Sequence, residues 1–231
     1  MTEEPNTMRL NSIEDYKKGL KLTKLQRSIL VGKLLGDGHL ETQNKGRTYR
    51  LKIKHSLKQK EYVDWIYEKL KEWVGTPPKV FEKISRFPNG KEIIAKAYGF
   101  STYSHGTFRF YAQQFYEGKR KKMPKLIEKL LTPEAIGVWY LDDGSFKSDR
   151  HRTFIIHTHG FIKSDLRKIQ EALFRRFGIK TNLHIQRRKE GTYWRIYVFS
   201  ESAQDFSNLI APVVREIPSL KYKLGNKLPK E

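Results

Sequence analysis

Two short segments of this chain share one pattern, and any fold it adopts must accommodate both. Leu30-Val31-Gly32-Lys33-Leu34-Leu35-Gly36-Asp37-Gly38 and Ile136-Gly137-Val138-Trp139-Tyr140-Leu141-Asp142-Asp143-Gly144 each read as a mostly apolar helix running into Asp-Gly, about half a chain apart. An aspartate in the last turn faces the negative end of the helix macrodipole, so each ending is locally unfavourable unless a cation is bound there. Either segment alone reads as a turn after a helix; the two together, on matched helices, point to a metal site. Gly32 and Gly36 lie four apart on one helix face and allow a second helix to approach closely, and Gly137 is expected to play the same part on the second helix. Side-by-side packing brings Asp37 and Asp143 out at one end. There they repel, and one takes up a proton unless a divalent cation intervenes. Oxygen ligands completed by water suit Mg²⁺ or Mn²⁺. Such ions, held between carboxylates and phosphate, activate water and stabilise a leaving oxygen.

Charge narrows the partner. Among 231 residues, 46 Lys and Arg face 25 Asp and Glu, a formal net charge of +21 spread along the whole chain. A folded domain with that excess repels itself unless it meets a polyanion, and nucleic acid leads the candidates. An anionic membrane surface and a generally basic ribosome-associated protein are the alternatives. No amphipathic basic helix dominates and no apolar run is of membrane length, so no membrane partner is expected. The absence of cysteine excludes disulfides and thiolate metal sites.

The order of elements repeats after each motif. Residues 1–22 read as a charged extension. Thr23 and Gln26 have capping-box spacing; Thr132 followed by Pro133 starts the second motif helix. From Tyr49 to His55, Arg50, Lys52 and Lys54 alternate with Tyr49, Leu51 and Ile53, a half-buried strand with a basic face; Thr153 to His159 occupies the matching place. A helix follows each strand. The first carries the stripe Tyr62, Trp65, Ile66, Leu70, Trp73; the second carries Leu166, Ile169, Leu173, Phe177 after Ser164 as N-cap. Both stripes read as core without chemistry of their own. A hairpin comes next: Lys79–Arg86 with Ile94–Tyr103 through Pro88-Asn89-Gly90, then Asn182–Arg188 with Tyr193–Ser200 around Gly191. The predicted fold is α+β, two pseudo-symmetric αββαββα units with two antiparallel sheets and the motif helices packed at the centre. The expected divisions are 1–22, 23–125 and 126–231.

The paired motifs resemble those of the LAGLIDADG homing endonucleases in their single-chain, two-motif form, in particular the monomeric intron-encoded enzymes. The resemblance covers about residues 23–228. It implies two sheets forming a DNA-binding saddle, and a metal-dependent, site-specific double-strand endodeoxyribonuclease that hydrolyses one phosphodiester per strand at a long asymmetric target. Position by position, Asp37 and Asp143 match the metal-binding carboxylates. Gly36 and Asp142 precede them, where relatives offer main-chain oxygen to metal. Lys121 and Lys223 match the lysines placed near each scissile phosphate, with Lys122 and Lys221 as alternatives. Lys33 and Leu35 depart from the idealised motif, as do Trp139, Tyr140 and Asp142, so Asp142 competes with Asp143 for the metal; Asp143 is preferred because it directly precedes Gly144.

By alternation away from apolar neighbours, Arg50, Lys52, Lys54, Lys96, Tyr98, Arg152, His184, Gln186, Arg188, Arg195 and Tyr197 are the candidates to line the DNA-reading face, with a solvated sheet face as the alternative. Arg and Gln can read base edges, whereas Lys more often holds phosphate. His157 and His159 share a strand face; with no third ligand evident they read as ordinary strand residues. Two rivals remain: an intron RNA maturase and a non-cleaving DNA-binding regulator. Paired Asp-Gly ends favour cleavage, since neither rival needs them. A chain that is not Asn-rich and shows no transit peptide favours a prokaryotic cytoplasm over an organelle matrix.

Overall fold

The computed structural model describes residues 5–86, 92–148, 150–188 and 191–225. The first motif helix, α2 (Lys24–Leu35), starts where the sequence says it should. The Thr23 hydroxyl accepts from the Gln26 N–H, and the Gln26 side chain accepts in return from the Thr23 N–H, at 3.2 and 3.0 Å. The second, α6 (Pro133–Asp143), is capped by Thr132, whose hydroxyl accepts from the Ala135 N–H and donates to Ser28 of α2 at 2.9 Å. Ile29, Leu30, Leu34 and Leu35 of α2 and Ala135 to Leu141 of α6 are buried, so the two helices form the spine of the core.

They touch through glycine. A Cβ at Gly32 would lie 2.5 Å from the Ala135 carbonyl oxygen and 2.7 Å from Val138 Cβ. Gly36 meets the Asp142 side chain in the same way. Gly137 does not mirror them. Its missing Cβ faces Val213 of α8 (Ala203–Arg215), because α6 is enclosed on a second side by that helix.

From each motif helix the chain enters a four-stranded antiparallel sheet. The first comprises β1 (His39–Glu41), β2 (Arg50–Ser56), β3 (Lys79–Arg86) and β4 (Glu92–Ser101), in the order β1-β2-β4-β3. After β5 (Tyr116–Glu117) and β6 (Arg120–Lys121), which form a small hairpin, the second comprises β7 (Gly144–Phe146), β8 (Phe154–His157), β9 (Thr181–Arg188) and β10 (Gly191–Val198), in the order β7-β8-β10-β9. Each sheet therefore begins at the strand that leaves its motif helix. With α3 (Lys60–Leu70), α4 (Phe108–Phe115), α7 (Lys163–Phe177) and α8, both halves read αββαββα, as expected. The short α5 (Ile127–Leu130) leads into α6.

Some expectations shift. Residues 5–18 form a helix, α1 (Pro5–Lys18). The Tyr16 hydroxyl donates to the Glu72 carbonyl at 2.8 Å and the Lys17 carbonyl lies 3.1 Å from His105 Nε2, which dock α1 on the first half. The N-cap of α7 is Ile162, not Ser164, with no side-chain cap; its other end is closed by Gly178 in the left-handed region, φ 68°. The Pro88-Asn89-Gly90 turn lies outside the described residues. Among the described residues, no helix is long and apolar enough to cross a membrane.

Candidate active site

The motif helices end side by side, and their aspartates share one cavity. α6 ends on Asp143 itself, whereas α2 stops at Leu35 and Asp37 follows its C-cap Gly36. A cavity of about 240 Å³ is lined by Leu35, Gly36, Asp37, Lys121, Asp143 and the segment His157 to Phe161. The Asp37 side chain is 53% exposed. Asp143 is held back from solvent. Burial, then the charges of Asp142 and Asp37, push its carboxyl from 3.8 up to about 8. The repulsion by Asp37 that the sequence implied is present, but it ranks behind burial and behind the adjacent Asp142.

Two lysines reach the same helix ends. Lys121 Nζ donates to the Gly36 carbonyl at 2.5 Å, and burial lowers its pKa to about 8 against the pull of Asp142 and Asp143. Lys223, from the 3₁₀ turn Pro218–Leu224, is buried and donates to the Leu141 carbonyl at 2.5 Å; burial lowers it too. The alternatives sit elsewhere: Lys122 lines a separate cavity with Arg120 and Lys168, and Lys221 is exposed.

Asp142 has a different setting from Asp143. Its side chain is fully buried and accepts three hydrogen bonds. Lys33 Nζ (2.7 Å) and the Tyr62 hydroxyl (2.9 Å) donate to Oδ1, and the Asp37 backbone N–H (2.8 Å) donates to Oδ2. Asp142 is partly exposed as a residue, so its exposure belongs to its main chain. Asp37, His55 and Asp142 offer ligand atoms within 4.8 Å of one another, a group able to hold a metal ion. A cation there would compete with the Lys33 ammonium for Asp142. Among the described residues no lysine forms an ion pair with the Asp37 or Asp143 carboxylate, although Lys121 and Lys33 act on Asp143 by their charge, and the raised Asp143 carboxyl is the disfavoured charge that a divalent cation would relieve. The donor set fits a hard, oxygen-liganded ion.

Two residues of this centre escaped the sequence reading. Tyr62 belongs to the α3 stripe, yet its hydroxyl serves Asp142; an aromatic stripe conceals a polar tip. His55 lies on the buried face of β2, 2.7 Å from Lys33 Nζ. The signal available was a histidine at the inward end of an otherwise apolar alternation.

The LAGLIDADG DNA endonuclease family matches residues 27–206. The chain belongs to this family. It is 29% identical over 218 residues to the probable intron-encoded endonuclease 1 of Wickerhamomyces canadensis, covering 92% of this chain and 89% of that one. It is 30% identical over 216 residues to the DNA endonuclease I-ChuI of Chlamydomonas applanata, covering 90% and 99%. With the cytochrome b mRNA maturase bI2 of Saccharomyces cerevisiae it shares 29% over 207 residues, 87% of this chain and 47% of the relative. The solved structure of the homing endonuclease I-WcaI bound to its DNA recognition sequence matches with a TM-score of 0.78 at 26% identity, over 94% of this chain and 93% of that one.

The two LAGLIDADG sheets sort the remaining candidates by face. Paired residues of antiparallel strands share a face. On the first sheet Arg50, Lys52 and Lys54 point away from the core; Arg50 is bound to Glu41 at 2.6 Å, and Lys54 lies over the Phe81 ring. Lys54 pairs with Gly99, and Gly99 with Lys79, so the basic face continues through Lys79, Phe81 and Lys83. Lys96 and Tyr98 are therefore on the other face, contrary to expectation. Tyr98 pairs with buried His55 and is 9% exposed, and Lys96 pairs with Glu82 and bonds it at 2.9 Å. The register with β2 fixes which face of β4 meets the core, and an offset of one residue reverses every side chain of a strand.

On the second sheet the alternation holds. His184, Gln186, Arg195 and Tyr197 share one face with Tyr193 and His157; the side chain of Arg188 lies outside the described residues. His184 stacks on Tyr197, ring centroids 4.6 Å apart, and Lys147 lies over the same ring. Arg152 is exposed beside β8 in the left-handed region, φ 42°. His157 ends β8, whereas His159 lies in the turn beyond it and not on the strand as expected; both line the aspartate cavity.

Proposed function

We propose that this protein is a site-specific double-strand DNA endonuclease that hydrolyses one phosphodiester in each strand of a long, asymmetric target. The observation that carries the reading is the pair Asp37 and Asp143, delivered from matched helices to one cavity together with Lys121. Two carboxylates crowded in a chain of net charge +21 serve neither folding nor simple DNA binding. Each sheet extends from its motif helix and presents a basic face, so a duplex lying across both faces runs past the aspartates. The unlike residues of the two faces predict an asymmetric sequence.

Asp37 and Asp143 would hold Mg²⁺ or Mn²⁺, which supplies activated water and stabilises the leaving oxygen. Lys121, with a pKa near 8, is charged in a large share of molecules at neutral pH and balances negative charge gathering on a phosphate near Gly36. Lys223 plays the corresponding part behind Leu141. Arg50, Lys52, Lys54, Lys79 and Lys83 on one side, and His184, Gln186, Arg195 and Tyr197 on the other, position the duplex and read bases. One chain carries both motifs, so it acts as a monomer. The yeast relative's name, a cytochrome b mRNA maturase, sets the second reading: tight binding of intron RNA on the same scaffold.

The test is incubation with supercoiled plasmids carrying a randomised target library, in Mg²⁺, Ca²⁺ or EDTA, with Asp37→Asn and Asp143→Asn beside the wild type. Linear product at one long sequence, dependent on Mg²⁺ and lost in either variant, is the expected result. No cleavage, with tight retention of a structured RNA unaffected by those substitutions, would replace this reading with the maturase.

A further inference from the structure

The two halves match in element order but not in what stands behind their aspartates. Four residues before Asp37 is Lys33; four before Asp143 is Trp139. Lys33 is fully buried, and its Nζ donates to Asp142 Oδ1 and lies 2.7 Å from His55 Nε2. An ammonium has only donors, so His55 Nε2 accepts and the neutral ring carries its proton on Nδ1. That nitrogen faces Gln59 Oε1 at 3.1 Å and Asp37 Oδ2 at 3.8 Å. The other oxygen of Asp142 accepts the Asp37 backbone N–H. Gly36 makes this possible, because a Cβ there would overlap the Asp142 carboxylate. Asp37 is thus held at its main chain by Asp142 and faced at its carboxylate by His55, with Lys33 joining the two. On the other side the place of Lys33 is filled by the Trp139 indole, whose buried N–H has no hydrogen-bond partner among the described residues. A buried ion pair is often no more stabilising than apolar residues of the same volume, so stability alone does not account for it.

We propose that Lys33, Asp142 and His55 form a positioning network for Asp37 alone, so that the first-motif centre depends on a carboxylate lent by the second motif helix and the two cleavage centres are held by different means. The inference rests on the endonuclease reading, with each aspartate serving one strand. It makes the two strand-cleavage steps separable.

The test uses Asp142→Asn and Tyr62→Phe in the full chain. Asn keeps the shape of Asp142 but presents an NH₂ where one of the three donors now finds oxygen; Phe removes one donor to Asp142. Single-turnover cleavage is followed on a duplex labelled separately on each strand, with DNA affinity measured in Ca²⁺. In Asp142→Asn one strand is expected to slow by about ten- to a hundredfold, the order that a misplacement near 1 Å produces. Asp142 also acts by its charge on Asp143, so the other strand is judged in Tyr62→Phe, which keeps that charge: there it should change by less than about threefold, nicked product should accumulate, and affinity should stay constant. Tyr62→Phe should slow the same strand by less, and it decides the matter by itself if the Asn variant fails to fold. Equal slowing of both strands by Tyr62→Phe, or none, overturns the inference while leaving the endonuclease reading intact. A wild type that cuts neither strand overturns both.

Discussion

Gly32→Ala is the sharpest probe of the helix packing that brings the aspartates together. The added Cβ would sit 2.5 Å from the Ala135 carbonyl oxygen and 2.7 Å from Val138 Cβ. Ordinary heavy-atom contact is about 3.5 Å, so α2 and α6 must separate by about 1 Å; the obstacle is backbone and cannot rotate away. Overpacking of this kind costs about 1–3 kcal/mol. Removing a glycine from a helix interior returns about 1 kcal/mol. A carbonyl obstacle belongs at the upper end of the range, which leaves a net loss of about 1–2 kcal/mol. For a chain of this length that is a fall in Tm of about 2–8 °C. The functional loss should be larger, because displacing reacting groups by about 1 Å can cost on the order of a hundredfold in rate. Gly106→Ala is the control, since nothing lies within 4 Å of its missing Cβ; its Tm should shift by no more than about 4 °C in either direction. Thermal melts and single-turnover cleavage by both variants decide the question. If Gly32→Ala melts and cuts like the wild type, the close approach of the motif helices is not what aligns Asp37 with Asp143.

Three more outcomes are expected. The carboxyl of Asp143 is raised in the fold, so its contribution to stability is fully present below pH 3.8 and is lost as pH rises through about 8; metal-free protein should lose Tm over that window relative to Asp143→Asn, and Mg²⁺ should restore more at pH 8 than at pH 5. Lys33→Met strands a buried carboxylate and should cost about 3–5 kcal/mol in urea unfolding, whereas Lys33→Met with Asp142→Leu should recover only part of it, because the Tyr62 hydroxyl and the Asp37 N–H lose their acceptor. Lys79→Ala or Lys83→Ala should each lower the salt dependence of DNA binding by about one unit of slope, while Lys96→Ala, on the opposite face and paired with Glu82, should leave it unchanged. Filter binding at several salt concentrations separates the two sets.

Local chemistry along the chain determined a great deal. The capping box at Thr23 and Gln26, the Thr132-Pro133 start and the alternation of Arg50, Lys52 and Lys54 each act over a few residues, so both motif helices and the basic strand were legible in order. So was the repeated αββαββα pattern, because the same signals recur after each Asp-Gly. The excess of positive charge needed no fold to be read, whereas the raised carboxyl of Asp143 comes first from burial and then from Asp142 on its own helix, with the Asp37 repulsion expected from the sequence a smaller part. What stayed hidden depends on partners far apart in sequence. Asp142 is a buried keystone and Asp143 faces the cavity only because Lys33, Tyr62 and the Asp37 N–H converge on one of two adjacent aspartates. Gly137 turns to α8 because of where that helix packs, and the parity of β4 is set by its pairing with β2 and not by its own composition. Spacing dictates which residues share a helix or strand face; which face meets the core, and which buried donor finds which acceptor, is decided only when the second half of the molecule closes on the first.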